Sequence, residues 1–378
     1  MGLYDCPHAG VQLFGVAMRR LAFCILLAAA PAAAQPPIGS FQLEPYIGGR
    51  VLASTASGAT IYTYAWPGVY FEAQFTGDSV DVKLDDDQNN LYLYIDGTHK
   101  LTLTRPGRTT VALKDLGPGP HTVRLEKASE TQASTGRFEG FYVDSADRAL
   151  PAPRYDRRIE FIGDSFTVGY GDTSRGQVCT VDDVRDTTDT SLAFAPITAK
   201  HFNAAYRIHA FSGRGVVRNY NGLAPGEALP TMYQYTLFDK SASAPEDGWT
   251  PDVVVIGLGT NDFSTPLNPG ETWSSREALH ADFEQAYAAF VKSLRTKWRS
   301  AHIILMASTE YNGEISQEVL AAADAAKRSG VEDLETISFS NLDYQACHGH
   351  PSLKDEAILS QLLIDRIALL PRFEGVAP

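Results

Sequence analysis

The hydrophobic pattern changes character near residue 150, and that change restricts the chain to an all-β part followed by an α/β part. Between residues 50 and 144 apolar and polar residues alternate in short runs, as in VYFEAQF (69–75). Six further runs alternate in the same way: SVDVKL (79–84), LYLYI (91–95), LTLT (101–104), TTVALK (109–114), HTVRLEK (121–127) and GRFEGFYVD (136–144). Short alternating strands at this spacing, separated by turn residues such as Asp96-Gly97, predict an antiparallel sandwich.

After ADRALPAPRYDRR (146–158), a linker rich in proline and charge, the pattern becomes that of an α/β domain. Compact apolar runs now predict the strands: RIEFI (158–162), YRIHAFS (206–212), DVVVIGL (252–258), HIILMAS (302–308) and ETISFS (335–340). Apolar residues at steps of three and four predict a helix over 276–298. Strands that alternate with helices indicate a parallel sheet covered on both faces. We therefore expect a sandwich domain at 36–150 and an α/β domain at 154–378.

Residues 18–34, MRRLAFCILLAAAPAAA, have the features of a secretory signal peptide. Two arginines precede an apolar stretch too short to span a bilayer, and Ala32-Ala33-Ala34 fits the small-residue cleavage rule. We expect residues 1–34 to be an upstream segment and signal peptide that is cleaved near Ala34. The mature protein is then secreted or periplasmic.

The formal net charge of −13 argues against nucleic acid and anionic membranes as partners, because both attract basic surfaces. No other stretch is long and apolar enough to predict a transmembrane helix. We expect a monomer with no nucleic-acid or membrane partner, acting on a neutral or weakly charged substrate.

Two of the four cysteines, Cys6 and Cys24, precede the predicted cleavage site. Cys179 and Cys347 would remain in an oxidising compartment, where a disulfide is expected. Two unrelated buried thiols are the alternative. A bridge would connect the loop after Ser165 to the segment before His350.

Ser165 lies in FIGDSFTVGYG (161–171), directly after the first strand of the α/β part. Open parallel sheets bind ligands outside the carboxyl ends of their strands, so this serine is a candidate nucleophile. A phosphate-binding loop is excluded because no lysine follows Gly169. A nucleophile elbow of the G-x-S-x-G type is excluded because Thr167 replaces the second glycine. A role as a helix cap alone remains open.

Three more motifs lie at predicted strand ends or in loops that lead into helices: FSGRGVVRNY (211–220), IGLGTNDFS (256–264) and CHGHP (347–351). With GDS they resemble, in order, the four blocks of the SGNH (GDSL-type) hydrolases. The two-part layout and the RRIEFIGDS, SGRGVVRNY and LGTNDFS stretches resemble carbohydrate esterase family 2, which removes acetyl groups from plant polysaccharides. The resemblance implies a flavodoxin-like three-layer α/β SGNH-hydrolase domain with a parallel sheet, preceded by an all-β, jelly-roll-like sandwich.

The resemblance also implies roles for individual residues. Ser165 would be the nucleophile and His350 its general base. The oxyanion hole would comprise the backbone N–H groups of Ser165 and Gly213 and the side-chain amide of Asn261, with Gly215 as the alternative to Gly213. No cofactor is implied. Simpler explanations remain: a turn residue for Asn261 and a surface histidine for His350. Four further histidines are expected to be structural or solvent-exposed: His201, His209, His280 and His302.

The sequence departs from the family at the position two residues before the histidine, where many members have an aspartate. Here that residue is His348, and Cys347 precedes it. We therefore expect a Ser165–His350 dyad in which a backbone carbonyl accepts the Nδ1–H of His350, with Asp343 as a remote alternative. Gly349 replaces the family's aromatic residue, which implies a more open acyl pocket. Ser352 and Asp355 have capping-box spacing and predict a helix start.

The leading interpretation is a secreted esterase that deacetylates carbohydrate through an acyl-enzyme. A general short-chain carboxylesterase, or a deacetylase of another glycan, is the alternative within enzymes. A catalytically silent glycan-binding protein is the alternative from another class.

Two features of the sandwich also remain open. The acidic run at 85–90 suggests either a solvated connection or, less readily, a calcium site. Three aromatic residues are suited either to sugar stacking or to the core: Tyr64, Trp66 and Tyr70.

Overall fold

The computed structural model describes residues 39–375, which form an antiparallel sandwich followed by a parallel-sheet α/β domain. The predicted signal peptide, with Cys6 and Cys24, lies outside the described residues. No helix within 39–375 is long and apolar enough to cross a membrane.

Twelve strands form the sandwich: β1 (Ser40–Gln42), β2 (Tyr46–Gly48), β3 (Val51–Ala56), β4 (Ala59–Tyr64), β5 (Tyr70–Thr76), β6 (Val80–Asp86), β7 (Asn90–Ile95), β8 (Thr98–Thr104), β9 (Gly107–Leu113), β10 (Pro120–Lys127), β11 (Gly136–Asp144) and β12 (Arg148–Ala149). One sheet has the order β3-β4-β11-β6-β9, with β1 beside β11. The other has the order β12-β5-β10-β7-β8, with β2 beside β5. All of these pairs are antiparallel.

The alternating residues seen in the sequence fill the space between the two sheets. In β5, for example, Phe71, Ala73 and Phe75 are buried in one cluster with residues of the facing sheet such as Val82 and Phe138. Period-two alternation places every second side chain on the same face, so each strand contributes to this core.

The three aromatic residues that were suited to either role belong to the core. Tyr64 is 1% exposed, and Trp66 and Tyr70 are 0% exposed, so none of them presents a face to a sugar.

The acidic run at 85–90 is not a simple solvated connection, because Asp86 and Asn89 are buried. The Asp86 carboxylate accepts from the Tyr64 hydroxyl (2.9 Å) and from the backbone and side chain of Asn89 (2.9 and 2.8 Å). Within residues 39–375 no group of three His, Cys, Asp or Glu side chains is arranged to hold a metal ion.

The α/β domain has five strands and eight helices: β13 (Arg158–Gly163), α1 (Ser165–Val168), α2 (Val181–Thr187), α3 (Phe194–His201), β14 (Ala205–Ala210), α4 (Leu229–Met232), β15 (Val253–Gly257), α5 (Thr260–Phe263), α6 (Arg276–Lys297), β16 (His302–Ser308), α7 (Glu314–Arg328), β17 (Leu334–Phe339) and α8 (Leu353–Ile367). The strands are parallel in the order β14-β13-β15-β16-β17. This is the flavodoxin-like order: β14 is added on one side of β13 and β15 on the other, so the topological switch point lies between β13 and β15.

Helices cover both faces of this sheet. Ile159 and Phe161 of β13 belong to the apolar cluster of α3 and α8, whereas Ile162 belongs to that of α6 and α7. Near-continuous apolar strands are the consequence of burial on both faces. The carboxyl ends of β13 and β15 therefore meet at the switch point, where a crevice is available for a ligand.

Candidate active site

Ser165 is the first residue of α1 and lies immediately beyond the carboxyl end of β13. Asp164 caps this helix: its Oδ1 accepts from the Phe166 N–H at 3.1 Å. Ser165 is therefore not the cap, and its hydroxyl is available for another contact. The Ser165 side chain is directed to His350, although the two residues are 185 positions apart.

The His350 ring bridges Ser165 and a backbone carbonyl. Its Nε2 is 2.9 Å from Ser165 Oγ, and its Nδ1 is 2.9 Å from the Cys347 oxygen. A carbonyl oxygen only accepts, so Nδ1 carries the proton and Nε2 has its lone pair facing the serine hydroxyl. Burial lowers the pKa of His350 to about 4, although the Cys347 carbonyl acts in the opposite direction. The ring is thus neutral near pH 7 and has the tautomer that a general base needs.

The Cys347 carbonyl is held by covalent and hydrogen bonds. A disulfide joins Cys347 to Cys179, with their Cα atoms 5.5 Å apart, as expected from the sequence. His350 N–H also donates to the same Cys347 oxygen at 3.2 Å. After this turn Ser352 N–H donates to Asp355 (3.0 Å) and α8 begins at Leu353, as the capping-box spacing predicts.

His348 and Asp343 both lie away from the His350 Nδ1. The His348 ring contacts the Tyr170 hydroxyl (3.1 Å) and the Cys179 oxygen (2.9 Å). Asp343 accepts from the Ser352 hydroxyl at 2.9 Å. The alternative in which Asp343 orients His350 is therefore wrong.

Two backbone N–H groups beside Ser165 have no protein acceptor. Among the described residues, neither the Ser165 N–H nor the Gly213 N–H is paired. Gly213 has a φ of +83°, a left-handed conformation that favours glycine. The alternative residue, Gly215, donates its N–H to Asn219 at 3.2 Å, so the geometry favours Gly213 as an oxyanion donor.

Asn261 follows β15 and approaches from the other side of the switch point. Its Nδ2 donates to the Asp164 carboxylate and to the Arg214 carbonyl, each at 3.0 Å. Both amide hydrogens thus have acceptors, and donation to a bound oxyanion requires the Arg214 contact to be shared or exchanged.

Two buried aspartates next to the motif residues support this arrangement, and neither was predicted from the sequence. Asp164 links the helix cap to Asn261, and burial raises its pKa to about 7. Asp262 accepts from the N–H groups of three consecutive residues after Gly215: Val216, Val217 and Arg218. Burial raises the pKa of Asp262 to about 6. The one sequence feature that could have indicated these two aspartates is that each is adjacent to a motif residue, Ser165 or Asn261.

An open cleft of about 1260 Å³ is lined by Ser165, Gly213, Asn261 and His350. One wall is a sandwich loop at 130–134, and another is α2 with the segment at 348–350. Tyr220 and Tyr311 also line the cleft, and each is 50% exposed. Exposed aromatic residues in the same cleft as Ser165 give it surfaces suited to flat, partly apolar ligands such as sugar rings.

The four other histidines of the α/β domain have structural contacts. His209 is buried in β14, His280 contacts Glu314 (2.7 Å) and His302 contacts Glu335 (2.8 Å). His201 packs edge-on against Phe202.

Two family models match the chain. One is described as carbohydrate esterase 2 N-terminal and matches residues 47–153; the other is described as GDSL-like lipase/acylhydrolase family and matches 161–357. The chain is also 48% identical to an acetylxylan esterase/glucomannan deacetylase of Cellvibrio japonicus (strain Ueda107), over 86% of this chain and 91% of that relative.

Solved structures of carbohydrate esterases are also similar to this chain. The chain is similar to a carbohydrate esterase described as having divergent catalytic and non-catalytic binding functions in its active site. Here the TM-score is 0.84 and the identity 45%, over 89% of this chain and 99% of that one. It is also similar to a family two carbohydrate esterase from Clostridium thermocellum in complex with cellohexaose. In that case the TM-score is 0.73 and the identity 27%, over 86% and 98%.

Proposed function

Since this chain belongs to carbohydrate esterase family 2, we propose that it is exported and removes O-acetyl groups from xylan- or mannan-type carbohydrate through a Ser165–His350 dyad. It is a carboxylic ester hydrolase by family. The observation that carries the proposed mechanism is the 2.9 Å contact between Ser165 Oγ and His350 Nε2, beside two unpaired backbone N–H groups.

The reaction begins with attack of Ser165 Oγ on the ester carbonyl carbon as its proton passes to His350 Nε2. The carbonyl π electrons move to oxygen, and the N–H groups of Ser165 and Gly213, with the Asn261 amide, stabilise that oxyanion. When the tetrahedral intermediate collapses, the bond to the sugar oxygen breaks and this oxygen takes the proton from His350. Water then gives a proton to His350 and attacks the acetyl-serine. The second tetrahedral intermediate then collapses, the bond to Ser165 Oγ breaks, and Oγ takes the proton back from His350 Nε2. Acetate is released and both residues return to their starting state.

His350 needs no carboxylate for this cycle. The Cys347 carbonyl accepts the Nδ1–H and so keeps the tautomer in which Nε2 is the base. A neutral carbonyl stabilises the imidazolium less than a carboxylate would. We therefore expect proton transfer to be slower than in a complete triad, while bonds form and break in the same order.

Carbohydrate as the substrate is supported by the names of the similar proteins and by the cleft. One relative is named for acetylxylan and glucomannan, and one solved structure is bound to cellohexaose. The cleft has room for several sugar units, and Tyr220 and Tyr311 present exposed rings. A net charge of −13 suits a neutral polysaccharide.

The test compares wild type with Ser165→Ala on p-nitrophenyl acetate, acetylated xylan and acetylated glucomannan. We expect wild type to release acetate from the polysaccharides and Ser165→Ala to lose about 10⁴-fold or more in kcat. Turnover of p-nitrophenyl acetate alone would favour the general short-chain esterase. If neither protein hydrolyses any ester faster than buffer while both bind xylan, the glycan-binding alternative is correct.

A further inference from the structure

A loop of the sandwich reaches across to the α/β domain and contacts the residue next to Gly213. The loop is SETQAST (129–135), between β10 and β11. Gln132 Nε2 donates to the Ser212 carbonyl at 3.0 Å. Glu130 Oε1 accepts from the Ser212 N–H at 2.8 Å. Both polar groups of the Ser212 backbone are therefore bound by the sandwich.

The Ser212 carbonyl and the Gly213 N–H belong to one peptide unit. In a planar trans peptide the C=O and N–H bonds point in opposite directions. A donor that fixes the carbonyl on the sandwich side therefore fixes the N–H on the cleft side. A hydrogen bond to the carbonyl also polarises the peptide and strengthens its N–H as a donor.

We propose that Gln132 is a positioning residue for the oxyanion hole: its bond to the Ser212 carbonyl orients the Gly213 N–H toward the reacting carbonyl oxygen. The sandwich domain is then part of the catalytic apparatus, although it supplies no group that reacts. This inference rests on the proposed function, because it assigns a role in stabilising the same oxyanion.

The loop that carries Gln132 is itself braced from the sandwich. The Thr131 hydroxyl donates to Asn89 at 2.9 Å, and Asn89 in turn is held by the buried Asp86. The Lys127 ammonium donates to the Ser129 carbonyl at 2.7 Å within the buried interior. Through Asp86 and Asn89, the acidic run at 85–90 thus holds the base of the 129–135 loop in place.

The other side of Gly213 is fixed within the α/β domain. Tyr220 N–H donates to the Gly213 carbonyl at 2.9 Å, and the Arg214 carbonyl accepts from Asn261. The peptide units before and after Gly213 are therefore both held, and within residues 39–375 the Gly213 N–H has no acceptor. Such preorganisation is what an oxyanion hole requires.

The test uses Gln132→Met, which keeps side-chain length and removes the donor. We expect kcat for p-nitrophenyl acetate to fall about tenfold, since small displacements at a reacting centre are costly, while KM stays within about twofold. The matched control is Gln74→Met: the Gln74 amide donates to the Thr122 hydroxyl within the sandwich (3.3 Å), so kcat of this variant should equal that of wild type.

Gln132→Glu provides a second variant, isosteric with the original, should Gln132→Met not fold. Its carboxylate lacks the donor at neutral pH, but its protonated form regains an O–H that can reach the Ser212 carbonyl. The kcat ratio of this variant to wild type should therefore rise as pH falls toward about 4. Because Gln132 also contacts the buried Glu130, protonation relieves repulsion between two carboxylates as well, so the distinction from a structural defect rests on KM staying within about twofold at each pH.

The inference is overturned if both variants keep wild-type kcat, or if KM rises while kcat is unchanged, which would make Gln132 a sugar contact. It is also overturned if the Gln132→Glu ratio does not depend on pH. These results differ from failure of the proposed function, in which wild type would be no faster than Ser165→Ala.

Discussion

In the proposed dyad the Nδ1 of His350 contacts a backbone carbonyl instead of a carboxylate, and this difference sets the pH range expected for the site. Its Nδ1–H is bound by a neutral carbonyl, and burial lowers its pKa to about 4. A carboxylate in that place would raise the pKa by stabilising the imidazolium. In the proposed dyad His350 is therefore a weaker base, but it remains unprotonated in mildly acidic solution.

We predict that kcat/KM keeps its neutral-pH value down to about pH 5 and falls below it with a midpoint near pH 4. A lowered histidine pKa means that the neutral, active form persists until the pH reaches that value. The measurement is a pH profile with p-nitrophenyl acetate. A midpoint near 6.5 would contradict a desolvated His350, and a midpoint near 7 would point to the Asp164 carboxyl instead.

The sequence predicted which residues meet at the site better than it predicted what supports them. Ser165, Gly213, Asn261 and His350 follow strand ends or precede a helix, and carboxyl ends of parallel strands share one edge. Gln132 could not be predicted in this way. Gln132 lies in a loop whose composition indicates only a turn, and it contacts Ser212, which is 80 positions further along the chain.

At the scale of elements, the segment from β17 to α8 matters most, because it carries His350 and has little regular structure. Cys347 is buried, and its disulfide to Cys179 ties this segment to the loop before α2 across 168 positions. The same residue supplies the carbonyl for His350. One residue thus couples a covalent link to the orientation of the base.

We predict that the double substitution Cys179→Ser and Cys347→Ser lowers the free energy of unfolding by about 4 kcal/mol, as expected for releasing so long a loop. We also expect kcat to fall several-fold with KM nearly unchanged, because the carbonyl partner of His350 is less fixed. Urea unfolding and steady-state kinetics provide the measurements. Dithiothreitol should slow wild type and leave the double variant unchanged; equal kcat for oxidised and reduced wild type would contradict the coupling.

Elements that coincide with a compact apolar run or a clear helical period were predicted closely, whereas several others, including β4 (Ala59–Tyr64), were missed. The run at 302–308 is β16 residue for residue, and 276–298 is α6 to within one position. β3 (Val51–Ala56) was missed because four of its six residues are exposed, so it has no apolar alternation. The two-residue strand β12 was also missed, because it lies inside the segment interpreted as a linker. That segment is rich in proline and charge, and two residues are too few to show an alternating pattern.

At the scale of the whole molecule, a buried polar network joins the sandwich to the α/β domain. Arg124 of β10 pairs with Glu72 and Glu126, each at 3.0 Å, and donates to the Tyr206 hydroxyl of β14 at 2.8 Å. Tyr206 in turn donates to Glu126, which is 1% exposed. Although burial raises the pKa of Glu126, Arg124 and Lys200 hold it at about 2. Charges this deep are stable only while paired, so the network favours a single arrangement of the two domains.

We predict that Arg124→Met destabilises both domains together, by about 3 kcal/mol, because it leaves Glu72 and Glu126 without their shared cation. Hydrogen exchange should show equal loss of protection in β5 of the sandwich and in β13 and β14 of the α/β domain. Arg108→Met is the matched control: Arg108 is 36% exposed and pairs with the buried Glu139 within the sandwich (3.2 Å). Glu139 keeps a second cation, Arg137 (3.5 Å), so this change should cost less than about 1 kcal/mol. If Arg124→Met loosened the sandwich and left β13 and β14 fully protected, the two domains would be independent units. The oxyanion hole would then not depend on the sandwich as a rigid support.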